Sequence, residues 1–116
     1  MHDFRKLFVW QMSKDLGSDV YRLCAVAPRT HSAVTSQLRR SALGIATSIA
    51  EGCGKSSRGE TMRYLDISAG SAAETEHHLE TARDVGALDV KTCEEMLSRV
   101  GSIRRMLRAL IENFPR

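Results

Sequence analysis

Val9, Met12, Leu16, Val20, Leu23 and Ala27 follow one another at steps of three and four, the spacing that lines side chains up on one face of a helix. That stripe predicts a first helix over 3–27, ended by Pro28, which has no N–H to donate and clashes with a continuing helix. Trp10, Gly17, Tyr21 and Cys24 make a second stripe beside the first, apolar surface that suits either a wide core face or the seam of an oligomer. A second helix over 32–51 turns Val34, Leu38, Ala42, Ile45 and Ile49 inward, and its many small residues, Ser41, Gly44, Ala46, Thr47, Ser48 and Ala50, permit close approach by a neighbour. A third over 58–85 has Leu65, Ala69, Ala72, Leu79 and Ala82 as inner positions and Gly86 to close it. In a fourth over 89–114, capped by Asp89, Met96, Val100, Ile103, Leu107, Leu110 and Phe114 alternate steps of four and three, a seam like that of a coiled coil. Pro115 stands where this helix would stop. Four such helices on short links predict an all-α fold, an up-down-up-down antiparallel four-helix bundle forming one domain over 1–116.

The link between the second and third helices, GCGKSSRG within IAEGCGKSSRGE, has the ingredients of a phosphate-binding loop. A G-x-x-x-x-G-K-[ST] loop needs a glycine where Ile49 stands, and it leaves a β-strand, whereas everything before Gly52 repeats with helical period. The stretch therefore reads as stop, turn and start. Gly52 and Gly54 sit where a left-handed C-terminal cap belongs, and Ser57 followed by Glu60 is a capping box that opens the third helix.

Composition fits helices: 42% of the 116 residues are hydrophobic but only six are aromatic. Cys24, Cys53 and Cys93 form no C-x-x-C pair, no apolar run approaches a membrane span, and no signal-peptide pattern opens the chain, so the expectation is a cytoplasmic protein without a membrane partner. The net charge of +3 is unevenly spread: residues 1–58 hold nine Lys/Arg against four Asp/Glu, 59–86 hold two against six, and 99–116 hold five against one. Such a distribution suits either a solvated face of mixed charge or a basic face for a polyanion.

Candidate chemistry is sparse. Glu74 and His77 have the Glu-x-x-His spacing of di-iron bundles, but His2, His31 and His78 offer no second pair, so neither metal nor cofactor is expected. Cys24 and Cys93 adjoin apolar stripes; Cys53, between two glycines, is the one cysteine expected to be open to solvent, with Lys55 as its visible activator. No histidine base for a cysteine nucleophile is apparent, and no catalysis is expected. Glu51, near the negative end of its helix, calls for a partner among Arg40, Lys55 and Arg63. The residues left as candidates for phosphate contacts are Arg39, Arg40, Lys55, Arg58, Arg104, Arg105 and Arg108, with few aromatic rings to stack on bases.

The opening FRKLFVWQ, then Ser36, Gln37, Leu38 and Arg40, the block Ile49, Ala50, Glu51, Gly52, and after the turn Gly54, Lys55, Ser57, Glu60, Arg63, Leu65, Ile67, Gly70, Ser71 and Glu74 resemble one family without a gap. It is the four-helix-bundle proteins encoded within intervening sequences of bacterial 23S ribosomal RNA genes. Ser48 and Lys55 depart from it, standing where the family often has asparagine and arginine. The resemblance implies a homo-oligomer, a pentameric ring, without known catalysis, and a similarity to the accessory proteins of diversity-generating retroelements, basic pentamers that engage nucleic acid and a reverse transcriptase. Two functions are thus expected as alternatives: a non-enzymatic oligomer that binds nucleic acid, RNA preferred over DNA, or a scaffold for a partner protein such as a reverse transcriptase.

Overall fold

The computed structural model describes residues 3–114, so Pro115 and His2 fall outside it. Four α-helices, α1 (Phe8–Ala25), α2 (Ser32–Cys53), α3 (Arg58–Asp84) and α4 (Val90–Glu112), and two short 3₁₀ turns, Phe4–Lys6 and Arg29–His31, account for the regular structure, with no strand among the described residues. α1 starts later than the expected Asp3 because Leu7 is extended, at φ −81° and ψ 121°. Asp3 instead caps the first 3₁₀ turn, accepting from the Arg5 N–H at 3.1 Å. The break lets Phe4 pack edge-on against Trp10, ring centroids 4.9 Å apart, which a continuous helix would prevent by pointing the two rings in different directions.

The expected starts of α3 and α4 follow from local hydrogen bonds. Ser57 Oγ accepts from the Glu60 N–H at 3.2 Å, and Asp89 accepts from the Thr92 N–H at 3.1 Å, each satisfying a donor with no helical partner. Gly86, at φ 74°, ends α3 in a Schellman motif, with the Ala87 N–H donating to the Ala82 carbonyl at 2.9 Å and the Gly86 N–H to that of Arg83 at 3.3 Å. The turn after α2 is different. Gly52 lies inside the helix and Gly54, at φ −84°, is right-handed, so the expected left-handed cap is absent; the Gly54 N–H closes the helix by donating to the carbonyls of Ala50 and Glu51.

Each helix packs on its neighbours in sequence, α1 closes on α4, and the pairs α1/α3 and α2/α4 lie on the diagonals of a four-helix arrangement 46 × 20 × 19 Å in extent. The inward stripes meet in one core, where Leu16, Leu38, Ile45, Ile49, Leu65, Leu79, Ile103 and Leu107 are fully buried. α2 and α3 approach most closely, through hydroxyls at seven-residue intervals on α3. Thr61 Oγ1 donates to the Gly52 carbonyl at 2.9 Å, Ser68 Oγ to that of Ile45 at 2.8 Å, and Thr75 Oγ1 to Ser41 Oγ at 3.0 Å. Residue numbers rise along one helix as they fall along the other, so the pair is antiparallel.

A polar clamp joins α1 to α4. Asp19 accepts from Arg99 at 2.8 Å and from Arg22 at 2.6 Å. The Arg99 guanidinium first, and that of Arg22 second, hold its carboxyl below the ordinary 3.8. A carboxylate whose folded pKa is lowered stabilises the fold above its unfolded value and ceases to do so as pH falls through 3.8 toward the folded value. In melts followed by circular dichroism, Asp19→Asn should therefore lose less stability than the parent between about pH 5 and pH 3; equal losses would show that the clamp has no weight.

Candidate nucleic-acid interface

The turn joining α2 to α3 brings Lys55 and Arg63 over Tyr64, and leaves Arg58 exposed at the start of α3. The Lys55 ammonium stands 4.9 Å and the Arg63 guanidinium 4.8 Å from the ring centre, cation–π distances that hold both side chains over an aromatic face. Arg63 also donates to Glu60 at 2.9 Å, which turns that carboxylate away from the reciprocal arm of the capping box. Lys55 and Arg58 have no carboxylate partner among the described residues.

Glu51, at the end of α2, is exposed and forms no ion pair among the described residues: of the three partners expected for it, Arg63 is held by Glu60, Lys55 lies over Tyr64, and Arg40 stands three turns back along the helix. Gly52 is buried because α3 crosses it. A Cβ there would lie 3.0 Å from Tyr64 Cβ and 3.2 Å from the Thr61 carbonyl oxygen. Cys53, expected to be open, is only 1% exposed, since the last turn of α2 is covered where the sequence suggested a free loop. Burial pushes its thiol pKa up, as it does for Cys24 and Cys93, and so disfavours the nucleophilic thiolate. A disulfide reagent at pH 8 should accordingly modify none of the three thiols quickly in the native protein and all of them in denaturant; rapid native labelling would contradict their burial.

On α4 the three arginines differ in their partners. Arg104 is ion-paired with Glu76 of α3, Arg105 donates only to the Ser102 hydroxyl at 3.2 Å, and Arg108 is exposed without a carboxylate partner. Arg104 and Arg108 share the wall of a 280 Å³ cavity with Asp66, Ala69, Ile111 and Glu112. On α2, Arg39 lies 5.6 Å over the Tyr21 ring, while Arg40 edges a shallow depression of 580 Å³ that runs along the outer side of the helix past Leu43 and Thr47 to Glu51. The seven candidate cations therefore do not meet in one patch. They occupy the α2–α3 turn, the outside of α2 and the outside of α4, and the last two are diagonal to each other.

The second stripe of α1 divides in the same way. Gly17 and Cys24 are buried, and Tyr21 is exposed. Trp10 lines a 400 Å³ groove between α1 and α2 with Phe4, Gly17, Leu43, Ala46 and Ala50, its walls almost entirely apolar. Leu43 falls one position from the inward set of α2, and that offset is the sequence signal for an apolar side chain turned outward; it remains 41% exposed. Among the described residues no three histidine, cysteine or acidic side chains converge on a metal-sized site, and His77 and His78 stack edge-on at 5.1 Å. No helix among them is long and apolar enough to cross a membrane.

A family model for the 23S rRNA-intervening sequence protein matches residues 5–109. The solved structure of a protein of unknown function from the S23 ribosomal protein family of Bacteroides thetaiotaomicron superposes with a TM-score of 0.85 at 22% identity, over 90% of this chain and 99% of that one, a likeness of fold. No curated protein matches the sequence.

Proposed function

The chain belongs to the 23S rRNA-intervening sequence protein family, and on that premise we propose that it is a non-enzymatic, homo-oligomeric protein that binds nucleic acid, RNA preferred, through phosphate contacts. The observation that carries this reading is that six of the seven candidate cations have no carboxylate partner among the described residues: Lys55 and Arg58 at the α2–α3 turn, Arg39 and Arg40 on α2, Arg105 and Arg108 on α4. A guanidinium already paired, as Arg104 is by Glu76, has less to offer a phosphate. One chain presents these charges on separate surfaces, too few on any of them for tight binding. A ring would repeat each pair around its circumference, and a polyanion touching several copies gains by effective concentration what a single copy lacks.

Fluorescence anisotropy of a labelled, structured RNA tests this reading. Binding should be firm near 50 mM salt and weaken steeply, along a straight log–log line, as salt rises. No binding of RNA or DNA at low salt would end it. The apolar groove between α1 and α2 favours a second reading, a scaffold for a partner protein such as a reverse transcriptase. Capture of a protein partner that survives nuclease treatment, by a ring that ignores RNA, would establish that alternative.

A further inference from the structure

The hydroxyl contacts between α2 and α3 fix which residues stand at the same height along the bundle. Ser68 bonds to Ile45, Thr75 to Ser41 and Thr61 to Gly52, so Glu74 stands level with Arg40, Gly70 with Leu43, Ile67 with Ala46, and Arg63 with Ala50 and Glu51. The outer stripe of α2 thus reads cation, apolar, anion from Arg40 through Leu43 to Glu51. The outer stripe of α3 reads the opposite at matching heights: anion, apolar, cation from Glu74 through Ile67 to Arg63. All six are exposed, and Leu43 and Ile67 are each 41% so.

We propose that these two stripes are the halves of a head-to-tail contact between copies of this chain, the outer stripe of α3 in one copy seating along the depression on α2 of the next. Rotation about an axis parallel to the bundle carries every residue to the same height in the neighbouring copy. Equal height therefore lets Arg40 meet Glu74 and Glu51 meet Arg63, with Leu43 and Ile67, about one helical turn apart in height, in the apolar stretch between them. A contact between two different faces is heterologous, and without a rise along the axis it makes a ring when the rotation divides the full turn. The side of a 46 × 20 Å bundle matches the roughly 800 Å² per partner that a stable interface buries. The contact also supplies what the single chain withholds. Glu51, which forms no ion pair in its own chain among the described residues, gains a share of Arg63 beside Glu60, and exposed Leu43 and Ile67 are covered. Arg40 is then committed to assembly, whereas α4, outside both stripes, keeps Arg105 and Arg108 free. This assignment rests on the oligomeric part of the function proposed above and is independent of the nucleic-acid part.

Charge reversal tests it. All substituted side chains are exposed, so each variant should keep the parental circular dichroism. Light scattering at moderate salt, without RNA, should show Arg40→Glu and Glu74→Arg each reduced from a ring to the 12.9 kDa chain, and the double variant Arg40→Glu/Glu74→Arg restored to the parental mass. A parental protein that is monomeric at micromolar concentration, single variants that keep the parental mass, or a double variant that stays dissociated would each overturn the contact. In an oxidant, Leu43→Cys and Gly70→Cys proteins should cross-link when mixed but not separately; self-cross-linking of Leu43→Cys would show face-to-face packing and overturn it too. A ring restored by the double reversal that fails to bind RNA would leave this interface standing and end the nucleic-acid reading alone.

Discussion

Alanine at both Arg105 and Arg108 should leave the helices intact, lower RNA affinity on the order of tenfold near 50 mM salt, and make the log–log salt slope shallower by about 1.5 for each chain that touches the RNA. Neither arginine holds the fold together: Arg105 reaches only the Ser102 hydroxyl one turn back, and Arg108 is exposed. The slope is the decisive reading, because it reports how many phosphate charges are neutralised and a loss of packing would not move it. Glu76→Gln should have the opposite effect. It frees the Arg104 guanidinium from its ion pair and adds a cation to the same face, so affinity should rise and the slope steepen. Anisotropy titrations at several salt concentrations check both changes. An unchanged slope in the double alanine variant would remove α4 from the contact.

The largest loss of stability expected from one exchange at the turn is that of Gly52→Val. The first added carbon would lie 3.0 Å from Tyr64 Cβ and 3.2 Å from the Thr61 carbonyl oxygen, and the second of these is backbone that cannot rotate away. Overpacking of this kind costs about 3 kcal/mol, and for a chain of this size the melting temperature should fall on the order of 10 °C. Gly54→Ala is the informative contrast. Gly54 has an ordinary right-handed φ of −84° and its Cβ would meet nothing nearer than 3.5 Å, so alanine should be neutral or slightly stabilising. Urea titrations followed by circular dichroism separate the two explanations of this turn. If Gly54→Ala proved the more damaging exchange, a left-handed cap would be at work after all.

That contrast also shows where the sequence was readable. The inward stripes are set by periodicity within each helix, and Leu16, Leu38, Ile45, Ile49, Leu65, Leu79, Ile103 and Leu107 are buried where the spacing places them. Ser57, Asp89 and Gly86 were legible for a similar reason, because a cap acts on backbone groups only a few residues away. Gly52 was misread as a cap because its constraint comes from Thr61 and Tyr64, on the far side of the turn. The burial of Cys53 depends likewise on what packs over the end of α2, and the neutralisation of Arg104 on Glu76, in another helix. Seven cations could be named from the sequence as candidates for phosphate. Their division into paired and unpaired, and their spread over three surfaces, follow from which helices are diagonal to which, and local periodicity contains no information about that.

The three hydroxyls of α3 that reach across to α2 have a bearing on how the gene can change length. Thr61, Ser68 and Thr75 each have a fixed acceptor, so inserting or deleting one residue between them would rotate those beyond the change by about 100° around α3 and break the remaining bonds together. The links at 26–31, 54–57 and 85–89 lie outside that ladder. Length variation among related sequences should therefore collect in the links and be excluded from 61–75, even though six of the fifteen positions in that segment are exposed.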